Sequence, residues 1–265
     1  MDQPTIEYRD HLRIRRQLNE TGVACLENAV PADWLTDARA DVRNLLATHG
    51  ERDHFIVSPA IAEHAAANAF ITSPSVHRLL NDVVQAEFSD GTALPELASS
   101  ALRVVAGPRG EGEAYWFHYD ASAVTMLVPL YLPDAGRGMS GELVGFFNKR
   151  PFRRFAIVNI IDKAVGQSGP YRSRILRKLD EDDVVQQVDM KVGNIYLFWG
   201  YRSLHANMPC QSGAVRATLL LHFGRLHGSS RALTTAIRIQ HQLRNLRPKP
   251  AAPDVGAHAY SSQLP

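Results

Sequence analysis

The chain has 265 residues, of which 45% are hydrophobic, 21% charged and 8% aromatic. This composition supports a globular protein with a sizeable core, and a formal charge of +2 leaves no broad field for nucleic acid or a membrane surface. Two cysteines, Cys25 and Cys210, form neither a disulfide framework nor a C-x-x-C motif, so both are expected reduced and separate. Met1-Asp2-Gln3-Pro4 lacks the basic-then-apolar pattern of a leader, and no apolar run approaches the length of a membrane span. The expectation is a cytoplasmic chain with no membrane and no nucleic-acid partner.

The first hundred residues read as mostly helical. Ile6, Leu12, Ile14 and Leu18 are spaced as on a short amphipathic helix within residues 5–20, which Thr21-Gly22 breaks. Val23-Ala24-Cys25-Leu26 reads as a short strand. Pro31 opens a second helix running to about His49, with Trp34, Leu35, Ala38, Val42, Leu45 and Leu46 in phase and Gly50 as its stop. Residues 59–69 are Ala-rich and helical in pattern, and Ser73-Pro74-Ser75 starts a helix carrying Val76, Leu79, Leu80, Val83 and Val84.

From residue 100 onward the pattern is that of strands and turns. Leu102 to Ala106, Tyr115 to Leu132, Gly141 to Phe147, Phe155 to Ile161, Val184 to Met190, Ile195 to Trp199 and Arg216 to Phe223 are the segments, with turn signals such as Pro133-Asp134-Ala135-Gly136 between them. About eight short strands in series imply an antiparallel sandwich or barrel. Residues 166–182 read as a polar, basic insertion with a helix around Arg174–Leu179. Residues 228–246 read as a helix, and the tail from Pro248 has no core pattern and reads as disordered. The organisation expected is a helical support region over 1–99, a β core over 100–227, and a C-terminal helix and tail over 228–265, all in one integrated domain.

Within the long strand-like run lies Trp116-Phe117-His118-Tyr119-Asp120. Side chains alternate across a strand, so His118 and Asp120 share a face. An imidazole and a carboxylate side by side are two thirds of the two-His, one-carboxylate facial triad of non-haem Fe(II) oxygenases, whose other face is open to a cosubstrate and O2. Of the eleven histidines, the ten besides His118 could supply the third ligand. His205 is favoured because it closely follows the Ile195–Trp199 strand and precedes Arg216, which begins the closing strand with Thr218 on the same face. An Arg fork there suits a carboxylate, and a Thr hydroxyl can share it.

With H-x-D, a distal His and R-x-T in this order, the sequence resembles the Fe(II)/2-oxoglutarate-dependent dioxygenases over roughly residues 100–227. Gly193-Asn194 ahead of Ile195–Phe198 looks like the family's approach to its distal ligand, and the helical N-terminus is similar to the phytanoyl-CoA-dioxygenase-like branch. The resemblance implies a mainly β fold with flanking helices around a double-stranded β-helix, the jelly roll. It implies that His118, Asp120 and His205 bind Fe(II), that Arg216 and Thr218 bind the distal carboxylate of 2-oxoglutarate, and that Tyr131 or Arg103 adds a cosubstrate contact. The presence of Asp120 disfavours the halogenating members, which lack the carboxylate ligand.

The implied reaction is oxidation, most commonly hydroxylation, of a C–H bond of a small organic substrate, with release of succinate and CO2. Such a substrate could be amino-acid-derived or belong to specialised metabolism. Two other readings fit the same residues: an oxygenase acting on a protein or nucleic acid, and a non-catalytic cupin-like binding protein. The basic residues Lys149, Arg150, Arg153, Arg154, Arg172, Arg174, Arg177 and Lys178 are either a solvated face or part of a lid over an acidic substrate. The sequence leaves the oligomeric state open.

Overall fold

The computed structural model describes residues 2–8, 10–107, 114–150 and 185–226. Asp10 caps the first helix, α1 (His11–Thr21), its carboxylate accepting the Leu12 and Arg13 amides that have no partner within the helix. Gly22 ends it at φ 83°, and the chain turns into β1 (Val23–Leu26). A Cβ on Gly22 would lie 2.3 Å from Phe147 Cβ, so the turn needs glycine for room as well as for backbone angle. Next come α2 (Ala32–His49), β2 (His54–Val57), a 3-10 turn at Ala60–Glu63, α3 (Ala65–Ile71) and α4 (Pro74–Glu87), the last with Pro74 in its first turn. The strands β3 (Ala93–Val105), β4 (Ser122–Tyr131), β5 (Leu143–Phe146), β6 (Gln186–Val188), β7 (Ile195–Trp199), β8 (Leu204–Asn207) and β9 (Arg216–Leu226) complete the described chain.

The strands form two antiparallel sheets, six-stranded β1-β7-β4-β9-β3-β2 and three-stranded β6-β5-β8. This is the expected jelly roll with flanking helices. Strand alternation divides the large sheet cleanly. Val124, Met126, Val128, Ala217, Leu219, Leu221 and Phe223 face the helices, packing with Leu79, Leu80, Val83 and Trp34 in the main core. Leu127, Tyr196 and Phe198 face the small sheet and meet Leu143 and Val188. The helices therefore seal one side of the large sheet, and its other side is left for the site.

Several elements differ from the sequence pattern. The first helix begins at His11 rather than near residue 5. The strand expected from Leu102 starts at Ala93, spanning the 99/100 boundary, and β2 pairs beside it where no strand was expected. The single run Tyr115–Leu132 is broken: His118 makes only an isolated bridge to His205, and regular pairing resumes at Ser122. Phe155–Ile161, most of the basic insertion, the 228–246 helix and the tail lie outside the described residues. Cys25 and Cys210 are free thiols. Among the described residues no helix is long and apolar enough to cross a membrane.

Candidate metal centre and its neighbouring pocket

His118 bridges His205 along the outer edge of β8, each donating its backbone N–H to the other's carbonyl at 3.0 Å. Asp120 follows two residues on, tied by its own amide to the Gly200 carbonyl at 3.1 Å. These backbone ties bring His118, Asp120 and His205 together so that their ligand atoms lie within 4.8 Å of one another. Nε2 of His118 is 3.6 Å from Asp120 Oδ1, and Nε2 of His205 is 3.6 Å from Oδ2.

The imidazoles are oriented by their other nitrogens. His118 Nδ1 lies 2.8 Å from the Trp116 carbonyl and His205 Nδ1 3.0 Å from that of Ser203. A carbonyl only accepts, so each Nδ1 carries a proton, and Nε2 is the nitrogen left to offer a lone pair to a metal once it gives up its own proton. The Phe198 ring stands edge-on to His205 at 4.6 Å and fixes its plane. Burial would push the Asp120 carboxyl up. The imidazoles of His205, His222 and His118 and the Thr125 hydroxyl more than reverse this, holding it well below the usual carboxylate range. An ionised carboxylate and two neutral imidazole nitrogens form a donor set suited to a first-row divalent metal. Gly200 makes the room: a Cβ there would come within 2.7 Å of Thr125 Oγ1 and 2.9 Å of Asp120 Oδ2.

The inward row of β9 is Arg216, Thr218, Leu220 and His222. In register, Arg216 opposes Val105, Thr218 opposes Arg103, and His222 opposes Thr125. His222 reaches the metal cluster, with its Nδ1 3.6 Å from Asp120 Oδ2. At the other end Arg216 and Arg103 line one small pocket with Asp53, Gly141, Asn207 and Cys210. Asn207, on the His205 face of β8, accepts from Arg103 Nη1 at 2.9 Å and so links the two ends. Arg216 is 2% exposed, and burial with the nearby Arg103 charge pulls its pKa down to about 9. Among the described residues, Nε of Arg216 and Oγ1 of Thr218 are buried with no hydrogen-bond partner.

Tyr131 is not brought into this group. A β-bulge sets Pro129 opposite Thr218 and Tyr131 opposite Ala217. Leu130 and Tyr131 thus both face the helices, where uninterrupted alternation would turn Tyr131 inward. Its hydroxyl accepts from Arg43 at 3.0 Å, and Arg39 lies over its ring. Thr125 and His222 are the neighbours of the site that sequence reasoning missed. Neither belongs to a motif, and only the pairing of β4 with β9 reveals them.

No protein-family model and no curated protein matches the sequence. Solved structures do match its fold. A prolyl hydroxylase from Trichoplax adhaerens, in complex with a hypoxia inducible factor oxygen degradation domain peptide fragment, aligns at TM-score 0.56 and 16% identity, covering 81% of this chain and 89% of that one. The epimerase SnoN, in complex with Fe3+, alpha ketoglutarate and nogalamycin RO, aligns at TM-score 0.56 and 14% identity, covering 80% and 82%. A Pseudomonas putida prolyl-4-hydroxylase aligns at TM-score 0.51 and 16% identity, covering 83% and 100%. The chain has the jelly-roll fold of these oxygenases.

Proposed function

We propose that the chain is an Fe(II)- and 2-oxoglutarate-dependent oxygenase acting on a small organic substrate. The observation that carries this reading is Arg216. A metal triad alone would suit many binding jelly rolls. Burying a guanidinium with an unsatisfied N–H is costly, and among the described residues Nε of Arg216 and the adjacent Thr218 hydroxyl, on the strand that also reaches the triad, have no hydrogen-bond partner. A dicarboxylate with one end at the metal and the other at Arg216 answers both features. The prolyl hydroxylase and the epimerase among the structural neighbours are enzymes built on this fold.

His118, Asp120 and His205 would hold the iron, and Arg216, Thr218 and Arg103 the distal carboxylate of 2-oxoglutarate. Iron and cosubstrate together would supply oxidising power, with one oxygen atom from O2 leaving in succinate. The protein's part is positional. The Trp116 and Ser203 carbonyls hold both imidazoles in the Nδ1-protonated form. Arg216 and Thr218 set the direction in which a dicarboxylate points, and the helical core sheds water from the back of the sheet. A small substrate rather than a polymer is favoured by the near-neutral charge of the whole chain. The reaction expected is hydroxylation of a C–H bond.

The test is succinate release by the purified chain with Fe(II), 2-oxoglutarate and O2, including the slow turnover that occurs without a prime substrate. Succinate that requires both Fe(II) and 2-oxoglutarate, and vanishes in His118→Ala, is the expected result. Metal binding with no succinate under any substrate screened would instead favour a non-catalytic binding jelly roll.

A further inference from the structure

Thr125 sits at the middle of an inward-facing level of the large sheet, with Phe198 opposite it on β7 and His222 opposite it on β9. Its hydroxyl lies 2.5 Å from Asp120 Oδ2 and 3.2 Å from His222 Nδ1. A hydroxyl has one proton, and the ionised carboxylate can only accept. The proton therefore goes to Asp120, and the contact with His222 must run the other way, from Nδ1–H to the Thr125 oxygen. Ser122 Oγ, at 3.5 Å, is a longer second neighbour of the same nitrogen. His222 thus differs from the two histidines of the triad, which spend Nδ1 on backbone carbonyls and present Nε2 to the metal.

We propose that His222 and Thr125 are positioning residues that act in series on Asp120, holding Oδ2 so that the carboxylate offers Oδ1 to the metal as a single-oxygen ligand. The inference rests on the metal reading given above. Among the described residues Oδ1 receives no hydrogen bond, whereas Oδ2 receives the short one from Thr125. A carboxylate free to rotate could take up two coordination positions. One held by Oδ2 leaves a position open for a bound cosubstrate or O2. Packing already fixes the chain of donors, since Gly200 admits no side chain beside Thr125 Oγ1 and Asp120 Oδ2. Support of this kind behind a ligand commonly changes metal affinity by about 10–100-fold.

The experiment titrates the metal-free full chain with Co(II), followed by visible absorption and calorimetry, for wild type, Thr125→Val, His222→Leu, His222→Asn and the Thr125→Val/His222→Leu double variant. Thr125→Val is expected to weaken Co(II) by about 10–100-fold and to shift the Co(II) bands as the carboxylate changes its binding mode. His222→Leu should move both readouts in the same direction by less. His222→Asn should restore them, because an amide N–H can stand where Nδ1–H stood. The double variant should be no worse than Thr125→Val, since His222 acts through the Thr125 hydroxyl that this substitution already removes. Far-UV circular dichroism and metal-free melting temperatures close to wild type exclude unfolding as the cause. Wild-type affinity and bands in His222→Leu, or losses that multiply in the double variant, would overturn the series arrangement. A wild-type chain that binds no Co(II) would overturn the metal reading itself, a distinct failure.

Discussion

Asp120 carries a burial cost that only its neighbours offset. Its side chain is 7% exposed, and an uncompensated carboxylate there would be neutral or strongly destabilising. Its folded pKa lies below the ordinary carboxylate value, so its contribution to stability is present above about pH 4 and is lost as pH falls through the depressed value. Chemical denaturation of the metal-free protein should therefore show wild type more stable than Asp120→Asn at pH 5, with the margin narrowing as pH falls below about 4. A constant margin would mean that the three imidazoles are not what holds the carboxylate ionised. The H-x-D pair was legible in the sequence because its chemistry is local. Its geometry was legible only in part, since the two residues share a face through bridges to His205 and Gly200 rather than through a continuous strand. Thr125 and His222 lie 97 residues apart in the chain, and no local pattern connects them.

Single-residue irregularities within elements decide which side chains enter the site. The bulge at Leu130–Tyr131 sends Tyr131 to α2, where its hydroxyl meets Arg43. Tyr131→Phe should then cost under about 1 kcal/mol of stability, the scale of one partly exposed hydrogen bond. It should leave the half-saturating 2-oxoglutarate concentration unchanged, and a rise in that concentration would show that the ring reaches the pocket. Gly141 has the opposite bearing. Its φ is +70°, and a Cβ would lie 2.4 Å from Arg216 Cδ and 2.9 Å from its Nε. Gly141→Ala should displace the guanidinium, raising the half-saturating 2-oxoglutarate concentration while leaving Co(II) affinity at the wild-type value. The regular elements were readable because hydrophobic period specifies them: every buried apolar position of α2 and α4 is among those the period selected, with Leu35 and Leu46 of that set only partly buried. Bulges and bridges were not readable, because they arise from how strands pair.

At the scale of the whole molecule, the helices and the six-stranded sheet build one core, and the two sheets enclose the site between them. That division sets a row of inward side chains along β9, with Arg216 at one end and His222, beside the cluster of His118, Asp120 and His205, at the other. The two ends should be separable by mutation. Arg216→Lys keeps a charge but loses the planar fork. Losing about 1.4 kcal/mol of cosubstrate binding would raise the half-saturating concentration roughly ten-fold. Co(II) affinity should stay at the wild-type value, since Arg216 is not among the clustered ligands. The same contrast has a readout independent of turnover. Arg216 is buried beside the Arg103 charge, and among the described residues its Nε has no hydrogen-bond partner, so a dicarboxylate bound there should stabilise the whole fold. With Mn(II) and no O2, 2-oxoglutarate at about a hundred times its dissociation constant contributes roughly 2.7 kcal/mol, or a rise of about 5–10 °C in melting temperature. In Arg216→Lys at the same concentration that rise should shrink to about half, since RT ln(1 + 10) is roughly 1.4 kcal/mol, while the rise from Mn(II) alone persists. Equal 2-oxoglutarate shifts in the two proteins would place the distal carboxylate elsewhere, with the metal centre untouched by that result.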